Sequence, residues 1–309
     1  MDIYVLVNQI LVLFLIILLG FILRKRDIFT EDMTVGLSRI LIEIIIPALI
    51  IDAMLSITLS AEIIRNLILM TIMSFLAYFF VLLFASVISI KVKTSKAKKD
   101  IFKFLLIFGN VGYMGIPVIS SVFSPEAVVY IIINNIIFNV YIWTYGVQLL
   151  TRDHNKESKI EWKKLINNGT IALIIGFFLL ITQINIGPLR GSIEIVADMT
   201  FPLSMLIIGS SLSNVKIINV IKDKYIYYVI FLKLIFIPLL ALFVLKNTAL
   251  PTILVDTLVI LLAMPSGANT VIFAEKYKSD YKFASEGVFI TTLLSLFTIP
   301  LFITLITLF

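Results

Sequence analysis

The chain of 309 residues contains no cysteine and a single histidine, His154. Without thiols there is neither a disulfide framework nor a thiolate metal site. One histidine in a polar loop leaves zinc, haem and iron–sulfur chemistry without ligands, so no cofactor or metal is expected. Charge is scarce too: 14% of residues are charged, against about 25% in soluble domains. Apolar residues fill the space, at 60% of the chain with a mean hydropathy of +1.10. One soluble core cannot absorb that excess, which makes the chain an integral membrane protein. The net charge of +6 reflects basic cytoplasmic loops rather than nucleic-acid binding.

Ten apolar segments are long enough to cross a hydrocarbon core, near residues 4–23, 34–56, 63–90, 101–122, 125–150, 163–183, 192–213, 225–245, 252–274 and 283–308. They are apolar all round rather than alternating, which argues for helices and against a barrel. The first run lacks a basic leader region and a small-residue cleavage site, and reads as a retained span. The basic residues then orient the chain. Arg24, Lys25 and Arg26 follow span one, and Lys91, Lys93, Lys96, Lys98, Lys99 and Lys103 follow span three. Arg152, Lys156, Lys159, Lys163 and Lys164 follow span five. Lys216, Lys222 and Lys224 follow span seven, and Lys276, Lys278 and Lys282 follow span nine. The opposite side carries Arg65, Arg190 and Lys246. The positive-inside rule places the odd-numbered loops in the cytoplasm and both termini outside.

The shift that lays Pro47 on Pro202 also lays Glu43 on Asp198, Gly112 on Gly267, and span five on span ten. Five spans per half is an odd number, so the second half enters the membrane from the other side. The expected fold is therefore an all-α polytopic protein of ten helices in two inverted five-helix repeats, residues 1–155 and 156–309.

Two spans carry residues unsuited to a continuous helix. Span four contains Gly109-Asn-Val-Gly-Tyr-Met-Gly-Ile-Pro117, and span nine contains Met264-Pro-Ser-Gly-Ala-Asn269. Opened helices expose N–H groups of one half-helix and carbonyls of the other, and such breaks in corresponding halves point to a binding site. The candidate substrate-binding residues are Asn110, Gly112, Gly115, Pro117, Asn135, Pro265, Ser266, Gly267 and Asn269. The amides can donate to a carboxylate and Ser266 adds a hydroxyl. Asn134, Asn135 and Asn139 of span five either line the cavity or make helix–helix hydrogen bonds. Ionisable residues within spans supply candidates for ion coupling or electrostatics: Glu43, Asp198 and Lys233. Glu43 lies four residues after Arg39, so an ion pair competes with a coupling role carrying a proton or sodium ion. Asp52, Asp256 and Glu286, near span ends, read as solvated.

The Gly109–Pro117 run with the following Phe123-Ser-Pro-Glu-Ala, and Ala263-Met-Pro-Ser-Gly-Ala-Asn-Thr-Val-Ile-Phe-Ala274, resemble the fourth- and ninth-span signatures of the auxin efflux carrier family. Pro47 and the Lys233…Pro238 pair fall where that family has a proline and a basic residue before a proline. The long central loop of many plant members is absent, as in a short prokaryotic member. The resemblance implies broken helices crossing at Pro117 and Pro265, with an organic anion held beside them, auxin-like or a dicarboxylate such as malonate. It also implies a transport domain of helices 3–5 and 8–10 moving as an elevator against a scaffold of helices 1, 2, 6 and 7, and a homodimer through that scaffold. The expected function is secondary transport of a small organic carboxylate across the cell membrane. A cation/proton antiporter, a sodium-coupled symporter or a ligand sensor without transport are the alternatives. No nucleophile–base pair or metal cluster suggests an enzyme.

Overall fold

The computed structural model describes residues 3–151, 167–213 and 223–308. His154 and the basic residues Arg152, Lys156, Lys159, Lys163, Lys164, Lys216 and Lys222 lie outside them. The regular elements among the described residues are all helices, without a strand. The helices are α1 (Ile3–Lys25), α2 (Glu31–Leu55), α3 (Ala61–Ile90), α4 (Lys96–Ile107), α5 (Val111–Val122) and α6 (Pro125–Thr151). They continue with α7 (Asn168–Thr182), α8 (Pro188–Leu212), α9 (Lys224–Lys246), α10 (Thr252–Ala263), α11 (Asn269–Lys276) and α12 (Tyr281–Leu308). Among the described residues six of them, α2, α3, α6, α8, α9 and α12, are each long and apolar enough to cross a membrane, and the shorter α5, α7 and α10 are apolar as well. The protein is a polytopic, all-helical membrane protein.

Local chemistry sets the helix starts. Thr30, Asn167 and Asp223 cap α2, α7 and α9, their side chains accepting hydrogen bonds from the N–H groups of Met33, Thr170 and Tyr225 at 3.0–3.2 Å. Before α8 the chain turns at Gly187, whose φ of +55° suits a residue without a Cβ. Pro188 then opens the helix, where its missing N–H costs nothing.

Three of the prolines inside helices share a solution. Pro47, Pro117 and Pro238 each sit two residues beyond a five-residue π-helical turn, Leu41–Ile45, Val111–Gly115 and Leu232–Phe236 respectively. A proline cannot donate to the carbonyl four residues back and its ring crowds it; widening the preceding turn relieves both problems. At Pro47 the carbonyl left over belongs to Glu43, and the Asn168 amide donates to it at 3.1 Å.

The chain forms two compact units. The first comprises Met1–Leu69, Gly112–Ile133 and Ile166–Asn214. Here α1 and α8 meet backbone to backbone: a Cβ on Gly209 would collide with the Ile17 carbonyl, and one on Gly20 with that of Leu206. Such close approach between membrane helices requires small residues. Gly176 of α7 lies against Met54 of α2 in the same way, a Cβ there falling 2.9 Å from the methionine side chain. Thr34 and Ser210 hydroxyls bond at 2.7 Å, and the Asn66 amide donates to the Tyr130 hydroxyl at 3.2 Å.

The second unit comprises Met70–Val111, Asn134–Leu165 and Val215–Phe309. Its interior is strongly aromatic: Phe104, Phe108, Phe138, Phe273, Trp143 and Tyr78 form a chain of neighbouring rings with centroids 4.5–6.1 Å apart. A buried polar link joins α3 to α6, where the Asn134 amide donates to Ser74 and its carbonyl accepts from the Tyr78 hydroxyl. Along α3 a stripe of Ile64, Ile68, Ile72, Phe79, Leu83, Val87 and Ile90 faces outward. An apolar stripe of that length is at home in lipid, not water.

Candidate functional site

Helix α4 ends at Ile107 because Phe108 turns extended, with φ −98° and ψ 99°. Helix α10 ends at Ala263, followed by extended Met264 at φ −60° and ψ 142°. Met264 precedes Pro265, and steric conflict with the proline ring disfavours helical backbone at that position. The two extended stretches lie within the second unit and pair with each other. Gly109 and Ser266 form an isolated antiparallel bridge. The Asn110 N–H donates to the Pro265 carbonyl at 2.7 Å, and the Gly267 N–H donates to the Phe108 carbonyl at 2.9 Å. Backbone groups released by the two breaks thus satisfy each other, as they must away from water.

Side chains clamp the crossing. The Ser266 hydroxyl donates to the Leu105 carbonyl at 2.8 Å, meeting one of the orphan acceptors at the end of α4. The Ser266 N–H donates to Thr291 Oγ1 at 3.2 Å, and that hydroxyl donates to the Gly287 carbonyl at 2.7 Å, tying the crossing to α12. Gly267 has no room for a side chain, since a Cβ would lie 2.9 Å from the Gly109 carbonyl oxygen. Gly109 in turn faces Lys233, whose Nζ lies 3.2 Å from where a Cβ would stand.

Lys233 comes from the π-helical turn of α9 and is only 2% exposed. Among the described residues it has neither an acidic partner nor a hydrogen bond. The Asn110 side chain, 8% exposed, and that of Asn269, at the first position of α11 and half-buried, also have amides without partners among the described residues. Next to Asn269, the Thr270 hydroxyl is fully buried and unbonded. The crossing therefore collects an ammonium, two amides and a hydroxyl with unused capacity, a donor-rich set suited to an oxyanion.

Other expected residues fall elsewhere. Asn135 lies in the second unit on α6, half-buried, with its side-chain amide unpaired; its backbone carbonyl accepts from the Asn139 side chain at 2.7 Å. Asn134 bonds across to α3, as the helix–helix reading expects, whereas Asn139 donates to a backbone carbonyl of its own helix. Gly112, Gly115 and Pro117 are helical, in α5, and belong to the first unit. The break is narrower than the Gly109–Pro117 stretch, and the bridge to the second stretch is made at Gly109. The π-helical turn accommodates Pro117 without opening the helix. Glu43 accepts from Arg39 at 2.9 Å with its side chain about half exposed, so the ion pair is formed. Asp198 is exposed. Both are in the first unit. Asp256 and Glu286 are not solvated: Asp256 pairs with Lys246 at 3.1 Å, and Glu286 is buried beside Lys282 at 3.9 Å.

Thr270 and Thr291 escaped sequence reasoning. Thr270 adjoins the conspicuous Asn269 and its proximity was a usable signal. Thr291 sits in an uninterrupted apolar span and carried none.

A family model described as membrane transport protein matches residues 5–303. The chain is also 24% identical over 306 residues to the uncharacterized transporter MJ1031 of Methanocaldococcus jannaschii, covering 95% of this chain and 96% of that one.

Proposed function

Because the chain belongs to the membrane transport protein family, which includes the auxin efflux and malonate carriers, we propose that it is a secondary transporter of a small organic carboxylate. The observation that carries this reading is the crossing of the two broken stretches with unpartnered amides of Asn110 and Asn269 and the lone ammonium of Lys233 beside Gly109. A carboxylate needs several donors, and an ammonium and two amides supply them there. Sodium or proton exchange would want acids at the crossing, and amides stand in those places.

In this proposal the ten spans form two inverted repeats, residues 1–155 and 156–309. Helices 1, 2, 6 and 7 of that ten-span numbering serve as scaffold, and helices 3–5 and 8–10 carry the anion by an elevator movement. The cargo is auxin-like or a short dicarboxylate, and Asn135, in the same unit with its side-chain amide unpaired, adds a further donor. Glu43 and Asp198 are the remaining sites for a coupling proton or sodium ion. The protein resides in the cell membrane with both termini outside, as a homodimer through the scaffold.

Reconstitution in proteoliposomes tests the core of the proposal. A hydrogen bond to a charged group is worth about 1.5–3 kcal/mol, so Asn110→Ala and Asn269→Ala should each lower carboxylate affinity roughly ten- to a hundredfold. Unchanged flux in both variants at equal insertion would sink it.

A further inference from the structure

The charge balance of the buried residues narrows the cargo. Among the described residues three charged side chains are buried: Asp100, Lys233 and Glu286. Asp100 has Lys103 at 3.6 Å and Glu286 has Lys282 at 3.9 Å. Lys233 alone has no counter-charge. Elsewhere in the second unit the same economy holds, with Lys98 paired to Asp223 and Lys246 to Asp256. A charge withdrawn from water without a partner is costly, and the cost is removed by one opposite charge, not two.

Helix ends do not alter this count. Each break brings a half-helix N-terminus, at Val111 or Asn269, close to a C-terminus, at Ile107 or Ala263. The partial charges at such ends are about +0.5 and −0.5, so the two breaks together cancel to first order. Asn110, Asn269 and Thr270 are neutral donors that direct a carboxylate without changing the balance.

We infer that the cargo carries a single negative charge while it is held, and that a dicarboxylate is taken up as its hydrogen monoanion. The inference rests on the carboxylate-carrier reading above. A second ionised carboxylate would find no other buried cation among the described residues. In its protonated form the same group is neutral and leaves the one-to-one balance with Lys233 intact.

The test compares monocarboxylates (acetate, phenylacetate, indole-3-acetate) with malonate and succinate, binding to the purified full-length protein by calorimetry from about pH 5 to 8. Like charge raises the second ionisation of a short dicarboxylate toward this window. The readout is the ratio of dicarboxylate to monocarboxylate affinity, which removes any titration of Lys233 itself. The expected ratio falls about tenfold per pH unit above the second ionisation. A ratio that stays flat or rises with pH shows that the dianion is bound and overturns the inference while leaving the carrier reading standing. Lys233→Met, checked for an unchanged elution profile, should weaken the bound monocarboxylates at least about tenfold, one charge-assisted contact being worth that much; wild-type affinity in this variant also overturns it. Absence of binding by all five acids at every pH removes the carrier reading, and this one with it.

Discussion

At the scale of single residues, the glycines of the two broken spans separate by what a methyl group would meet. At Gly267 it would press on the Gly109 carbonyl at 2.9 Å, backbone against backbone in a hydrogen-bonded crossing, where neither side can yield. At Gly109 it would meet the end of the Lys233 side chain, which can swing aside. At Gly112 nothing lies within 4 Å. Gly267→Ala should therefore cost about 1–3 kcal/mol and lower the thermal midpoint in detergent, with transport lost. Gly109→Ala should keep most of the stability but lose anion affinity, because it displaces the ammonium. Gly112→Ala should leave the midpoint unchanged. Melting the three variants side by side checks the order, and a Gly112 variant less stable than the Gly267 variant contradicts it. All three glycines look alike in the sequence, where each is only a weak point in an apolar run. Which of them faces a backbone depends on a segment more than 150 residues away.

At the scale of helices, proline positions were legible but their consequences were not. Pro265 ends α10, since its preceding residue must be extended. Pro117 and Pro47 are absorbed by π-helical turns, and a sequence does not distinguish a widened turn from an open break. Charged residues near span ends show the same limit. Asp256 is held by Lys246, ten residues back and across the connection from α9 to α10, so nearness to a span end did not mean solvation. The Pro47 turn makes a testable unit. Asn168→Ala leaves the Glu43 carbonyl without the amide that replaces the N–H missing at position 47, at a cost of about 1–3 kcal/mol. Pro47→Ala restores that N–H, so the double variant should be less destabilised than the sum of the single changes, by about 0.5–1.5 kcal/mol in a double-mutant cycle. Strict additivity would mean that Asn168 does not stand in for the lost donor.

At the scale of the whole molecule, the apolar composition and the helix positions were largely readable from the sequence, because apolar runs of spanning length have few other uses. Each compact unit gathers segments from both halves of the chain, and contacts of that kind leave no local signal in composition or periodicity. Orientation rests on the loop charges, and the absence of cysteine gives it a clean test. Asp32 is exposed in the first turn of α2, on the side that the basic loops assign to the cytoplasm. Ala249 is exposed in the connection between α9 and α10, on the opposite side. Each can be replaced by the chain's one cysteine, Asp32→Cys or Ala249→Cys, and exposed to a membrane-impermeant maleimide. In intact cells Ala249→Cys should react and Asp32→Cys should react only after permeabilisation. The reverse pattern inverts the assigned topology. Labelling of both in intact cells means that an even number of spans separates the two sites instead of the seven drawn, and the ten-span count would then fail. The expected pattern places the two loops on opposite faces, as five-helix repeats of opposite orientation require.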